Sequence, residues 1–245
     1  MSQQFETRHA KNVANLQKLI EQVTVYTDYN PSVENLSLVN LNTLYNTSLA
    51  SLTALEEKRN ANKNAIHARQ QVYENLKPVT TRIINQLDIL GLQKGVLDQA
   101  KSLNRLIQGA SKKKKTTSEE NEEEQNTVST SRQSYTQLAD NFSKLLQLLS
   151  TIETYNPNTE ELKKVNLTTY HTSLVNNTKD VDQTEAELNA KFIERNNLLY
   201  ADGTGLYTIA QNVKKYIKSL YGATSPEYST TVSYTHLTLP TMRTV

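Results

Sequence analysis

One short stretch constrains this chain more than any other, because it occurs twice. Tyr29-Asn30-Pro31-x-x-Glu34-x-Leu36-x-x-Val39-Asn40-Leu41-x-Thr43 returns 126 residues on as Tyr155-Asn156-Pro157-x-x-Glu160-x-Leu162-x-x-Val165-Asn166-Leu167-x-Thr169. The match runs back without a gap to Asn15, Lys18 and Leu19 against Asn141, Lys144 and Leu145. An internal duplication implies two related units of roughly 100 residues each, an ordinary domain size.

Helical periodicity surrounds both copies. Val13, Leu16, Leu19, Ile20 and Val23 recur at steps of three and four before the first corner, the spacing of one helical face. Tyr29-Asn30-Pro31 stops that helix, since Asn tolerates a helix C-terminus and Pro cannot continue one. A second helix is expected from Ser32, with a seam through Leu38, Leu41, Tyr45, Ser48, Leu52 and Leu55. No Gly or Pro interrupts positions 32 to 77. One long helix and a helix broken in the polar run Glu56 to Asn64 are both open. Two further stripes follow, the first from Val79 to Leu90 and the second from Val96 to Ile107.

The second copy repeats the pattern with Tyr135, Leu138, Phe142, Leu145 and Leu149, then a long helix and a third stripe from Leu206 to Leu220. Past the corner the alignment by identity slips one residue, so that Tyr45 matches Tyr170. A fourth helix has no counterpart in the second copy. The expected fold is all-α: two tandem up-and-down bundles joined by a charged linker. The boundaries are 1–110 for the first bundle, 111–131 for the linker and 132–228 for the second bundle. The linker carries Lys112 to Lys115 followed by Glu119, Glu120 and Glu122 to Glu124. Residues 229–245 are expected to form a disordered tail, of which 232–245 packs on nothing.

Composition supports helices. Six Gly and five Pro in 245 residues are too few for a turn-rich β fold. With no Trp and three Phe, the core rests on Leu, Ile, Val and thirteen Tyr. The absence of Cys excludes disulfides and thiolate metal sites. The first thirty residues lack the apolar core of a secretory signal, so a cytoplasmic location is expected. A net charge of +2 is too small to argue for nucleic acid or a membrane surface.

No catalytic or metal constellation is legible, and no cofactor is expected. A single Glu-x-x-His, Glu6-Thr7-Arg8-His9, lacks the second pair that a di-metal bundle needs. Gly203-Thr204-Gly205 lacks the third glycine of a dinucleotide loop. The candidate interaction residues are Asn40 and Asn166, Tyr45 and Tyr170, and Lys214, Lys215 and Lys218. The two Asn sit one residue off the seam in both copies; register, simple exposure and partner contact are the alternatives. The tyrosines form either a groove or a bundle seam with hydroxyls at the rim. The lysines give a basic face.

Three stretches carry a resemblance to known sequences. The Tyr-Asn-Pro corners, Thr80-Thr81-Arg82-Ile83-Ile84-Asn85 and the run Lys214 to Tyr228 resemble an uncharacterised bacterial family of internally duplicated all-helical proteins. That resemblance implies the fold and no activity. Val232 to Thr241 resembles the translation of a sequencing-library adapter, which would make 232–245 a non-native ending. The expected function is a non-enzymatic helical scaffold or protein-interaction protein with two similar binding units. Its partner is expected to be another protein or a second copy. The alternative is an envelope- or nucleic-acid-associated accessory factor using the basic patches.

Overall fold

The computed structural model describes residues 3–109 and 133–234, together with Leu237. The described residues are all-α, without a strand. The helices are α1 (Gln3–Thr24), α2 (Leu38–Glu74), α3 (Leu76–Asp88), α4 (Lys94–Gln108), α5 (Tyr135–Ser150), α6 (Lys164–Tyr200), α7 (Leu206–Tyr221) and α8 (Pro226–Tyr234). The polar run Glu56 to Asn64 does not break α2, which is continuous over 37 residues. Pro78 lies in the first turn of α3, where its missing N–H costs nothing. The expected linker 111–131 lies outside the described residues.

The duplicated corner is a 3-10 turn rather than a direct helix start at Ser32. In the first copy the turn spans Glu34–Leu36, and in the second Glu160–Leu162. The same side chains hold both. The buried Tyr29 hydroxyl donates to the Leu36 carbonyl at 2.6 Å, and Tyr155 to Leu162 at 2.9 Å. Asn40 Nδ2 donates to the Glu34 carbonyl at 2.8 Å, and Asn166 Nδ2 to Glu160 at 2.7 Å. The tyrosines pair the Leu36 and Leu162 carbonyls, while the asparagines add a second bond to the Glu34 and Glu160 carbonyls, which already accept from the Ser37 and Lys163 amides. Such pairing is needed wherever backbone is taken from water.

Burial pushes the Tyr155 hydroxyl up to about 12, and pushes Tyr29 up as well, with Tyr216 adding to the effect. The corner tyrosines therefore stay neutral when folded at a pH where an unfolded tyrosine, near 10, has ionised. Their contribution is full below about pH 10 and is lost as pH rises toward 12. Tyr155→Phe is expected to cost about 1–3 kcal/mol at neutral pH, by leaving the Leu162 carbonyl unpaired. It should also flatten the fall in stability above pH 10, measured by denaturant titration at a series of pH values.

The chain forms two compact units, and they are not successive. The first combines Met1–Asn62 with Glu185–Val245, and the second is Lys63–Thr184. This replaces the expected succession of 1–110 and 132–228. In described elements, the first unit holds α1, the start of α2, the end of α6, α7 and α8. The second holds the end of α2, α3, α4, α5 and the start of α6. Each unit thus joins the head of one sequence copy to the tail of the other. Both chain crossings fall inside the long helices.

Packing explains the arrangement. In the first unit Leu16 and Leu19 of α1 share a core with Leu206, Val213 and Ile217. In the second, Phe142 and Leu145 of α5 share one with Ile83, Leu87 and Ile107. Each fully buried side chain of this size contributes about 1.5–3 kcal/mol. Burial also sets the register of the copies. Leu41, Ser48 and Leu55 are buried on α2, and Leu167, Leu174 and Val181 on α6. The offset of 126 therefore continues along both helices without the one-residue slip that identity suggests. A slip would rotate every side chain by about 100°. Tyr45 corresponds in position to His171, and Tyr170 to Leu44.

The turn between α6 and α7 requires glycine. Gly203 has φ +75°, and a Cβ on Gly205 would lie 2.5 Å from the Ala201 backbone nitrogen. The Gly-Thr-Gly element is a helix connection. The ending also differs from expectation. Pro226 opens α8, with the Ser225 hydroxyl accepting from the Tyr228 amide at 3.1 Å, so a fourth helix is present in the second copy. Leu237 is 5% exposed and belongs to the first unit's core. Hence 229–234 belong to a helix rather than to a disordered tail, and Leu237 packs in a core; residues 235, 236 and 238–245 lie outside the described residues.

Candidate interaction faces

The structure uses most of the candidate side chains inside the fold. Asn40 and Asn166 cap the corner turns. The Tyr45 hydroxyl donates to Gln17 Oε1 at 3.1 Å, and that of Tyr170 to the Val72 carbonyl at 2.8 Å. The lysines do not form one face. Lys214 is 8% exposed and its ammonium is held below the ordinary lysine value by burial, whereas Lys215 and Lys218 are exposed. Lys218 Nζ lies 5.8 Å from the centre of the Tyr228 ring.

The two units differ in the polarity of equivalent buried positions. The first unit has Asn12 and Ser48, both almost fully buried, where the second has Leu138 and Leu174. His9 Nδ1 lies 2.7 Å from the Tyr200 hydroxyl, and Asn12 Nδ2 donates to the same oxygen at 3.0 Å. Ser48 Oγ and Ser51 Oγ are buried without a partner. Polar groups so placed narrow the range of helix registers that satisfy them.

Clefts in the second unit are open grooves. One of about 530 Å³ lies beside the Glu160 corner and is lined by Pro78, Val79, Arg82, Glu161, Asn166 and Tyr170. Two of its charged side chains, Arg82 and Glu161, pair with each other at 2.6 Å. A groove of about 410 Å³ runs beside Val175 and includes Ala139, Ser143, His171 and Thr178. Among the described residues no group of three or more His, Cys, Asp or Glu could hold a metal ion. Among them, too, no helix is long and apolar enough to cross a membrane.

The feature shared by both copies is an exposed helix face. Val39 and Val165 are equivalent, and each is 76% exposed. Leu49 and Val175 are also equivalent, and both are exposed. Around them the sequence carries no Asp, Glu, Lys or Arg from Asn35 to Leu55, nor from Val165 to Thr178. Charged residues make up 21% of the whole chain, so such runs on solvent-facing helix surface are unusual.

Hydrogen bonding makes these faces more apolar than their composition. The hydroxyls of Thr43 and Thr47 donate to carbonyls four residues back, at 2.9 and 2.8 Å. Thr168, Thr169 and Thr172 do the same on α6, at 2.9, 3.1 and 3.0 Å. With the hydroxyl committed to its own helix, each threonine offers chiefly its methyl group to a partner. Covering such a face desolvates no charge, which is the costliest part of burying ordinary protein surface.

The sequence reading stopped at Asn40 and Asn166 and passed over the valines beside them. The missed signal was the pairing of a repeated apolar residue off the seam with a charge-free run. Searches of protein families, curated proteins and solved structures find no match to this chain.

Proposed function

We propose that the protein is a non-enzymatic helical scaffold or interaction protein that presents a similar uncharged helix face twice. The observation that supports this is the equivalence of Val39 and Val165, each 76% exposed on a run without charge. Large apolar residues exposed at equivalent positions of both copies are what a shared docking role predicts. Two such faces on one chain raise the effective concentration of the second contact once the first has formed.

The test places charge in both faces. Thr43→Arg with Thr169→Arg is expected to leave the melting temperature nearly unchanged, since both residues are exposed. It should remove the partners recovered by cross-linking in the native host. Each single variant should weaken recovery by about tenfold or more if both faces engage together. Recovery of the same partners by the double variant contradicts the reading.

A further inference from the structure

Duplication makes each unit a control for the other. In the first unit the Tyr45 side chain crosses from α2 to α1, where its hydroxyl donates to Gln17 Oε1 at 3.1 Å. Tyr45 and Leu52 both pack against that unit's core. The equivalent positions of the second unit hold His171, Ser143 and Thr178, each a smaller residue. Val13 is likewise replaced by Ala139, and both are buried. These four replacements line the groove of about 410 Å³ beside Val175. The groove lies where Tyr45, Gln17 and Leu52 fill the space in the other copy.

We infer that this groove binds a small neutral phenol, the group that the first unit supplies from its own chain. The Ser143 hydroxyl and the His171 imidazole line the groove and are half-buried. Neither has a hydrogen-bond partner among the described residues. Each can accept from a phenolic hydroxyl, as Gln17 accepts from Tyr45. Ala139 and Val175 give the ring an apolar wall. The Thr178 hydroxyl is committed to the Leu174 carbonyl at 2.9 Å, so that residue adds its methyl group.

Surrounding charge does not compete with this choice. Asp140, Lys179 and Asp182 line the groove, and Lys144 pairs with Asp140 at 2.7 Å. Asp180 is exposed beside Lys179, outside the lining. The carboxylates repel an anion, and a cation gains little because Lys144 and Lys179 flank the same acids. No group of three or more His, Cys, Asp or Glu among the described residues could hold a metal ion there. The volume is at the small end for ligand sites, and suits a single ring better than a large molecule. The site stands apart from the docking role proposed above, although Val175 belongs to both.

The probe is p-cresol, the tyrosine side chain as a free molecule, titrated into the full chain and followed by two-dimensional NMR. Saturable shifts centred on Ala139, Ser143 and His171 are expected, with a Kd of about 1 mM for so small a ligand in an open groove. The methyl ether, 4-methylanisole, cannot donate a hydrogen bond and should bind at least about threefold more weakly. Installing the first unit's own residues, His171→Tyr with Ser143→Gln, should weaken p-cresol binding by about tenfold or more. A circular dichroism melt checks that this variant is folded. The shift map on the unaltered chain locates the site even if the variant is not. Shifts that never saturate, that centre elsewhere, or that survive in the folded filled variant overturn the inference. So does equal binding of 4-methylanisole. A chain that ignores p-cresol but keeps its cross-linked partners would end the phenol site and leave the interaction reading standing.

Discussion

Replacing Phe142 by alanine is expected to destabilise the protein by about 3–5 kcal/mol, among the largest losses any single core truncation can cause. Phe142 is fully buried on α5, among the apolar residues of the second unit. Its ring lies 5.7 Å from that of Tyr170 at an interplanar angle of 70°, and 6.2 Å from His171. Truncation removes both the transferred area and these edge contacts. The α5 and α6 helices close such a cavity only in part, because their backbones are held by the corner bonds of Tyr155 and Asn166. Val39→Ala on the exposed face should change stability by no more than about 0.5 kcal/mol. Chemical denaturation of both variants reads the contrast, with tyrosine as the probe because the chain has no Trp. A loss below about 1 kcal/mol for Phe142→Ala would contradict the placement of α5 against α3 and α4.

Much of the fold was legible in the residues. The stripe Val13, Leu16, Leu19, Ile20 and Val23 is the buried side of α1, as its spacing requires. The repeated Tyr-Asn-Pro stretch does turn one helix into the next. What the spacing could not carry was an address. An amphipathic stripe states that a helix has a buried side, not which other helix covers it. The stripe of α1 can accept α3 or α7 equally well by pattern, since Ile83 and Leu87 on one correspond to Val213 and Ile217 on the other.

One clue to the interleaving lay in helix length. α1 has 22 residues and α2 has 37, so the far end of α2 outruns its neighbour and needs cover from elsewhere. The register error had a similar origin. Tyr-x-Thr-Ser-Leu matches by identity after a one-residue shift, but burial follows the angle around the helix. Ser48 and Leu174 share an angle and differ completely in chemistry. The interaction faces were hidden for a third reason: exposed valines are common one at a time. Only equal exposure at equivalent positions makes Val39 and Val165 informative.

The interleaving of the two copies is the claim on which the rest depends, and splitting the chain tests it. A fragment of residues 1–110 contains α1 without α7 and α8, and α3 and α4 without α5. Leu16 and Leu19 then lose Val213 and Ile217, while Ile83 and Leu87 lose Phe142 and Leu145. Several fully buried side chains at about 1.5–3 kcal/mol each exceed the whole stability of a typical domain. The fragment is therefore expected to show no cooperative melt, and so is the fragment 132–245. Mixed at equal concentration, the two should recover helicity and a cooperative transition, followed by circular dichroism. A fragment of residues 1–110 that melts cooperatively alone, at the temperature of the full chain, would contradict the interleaved fold.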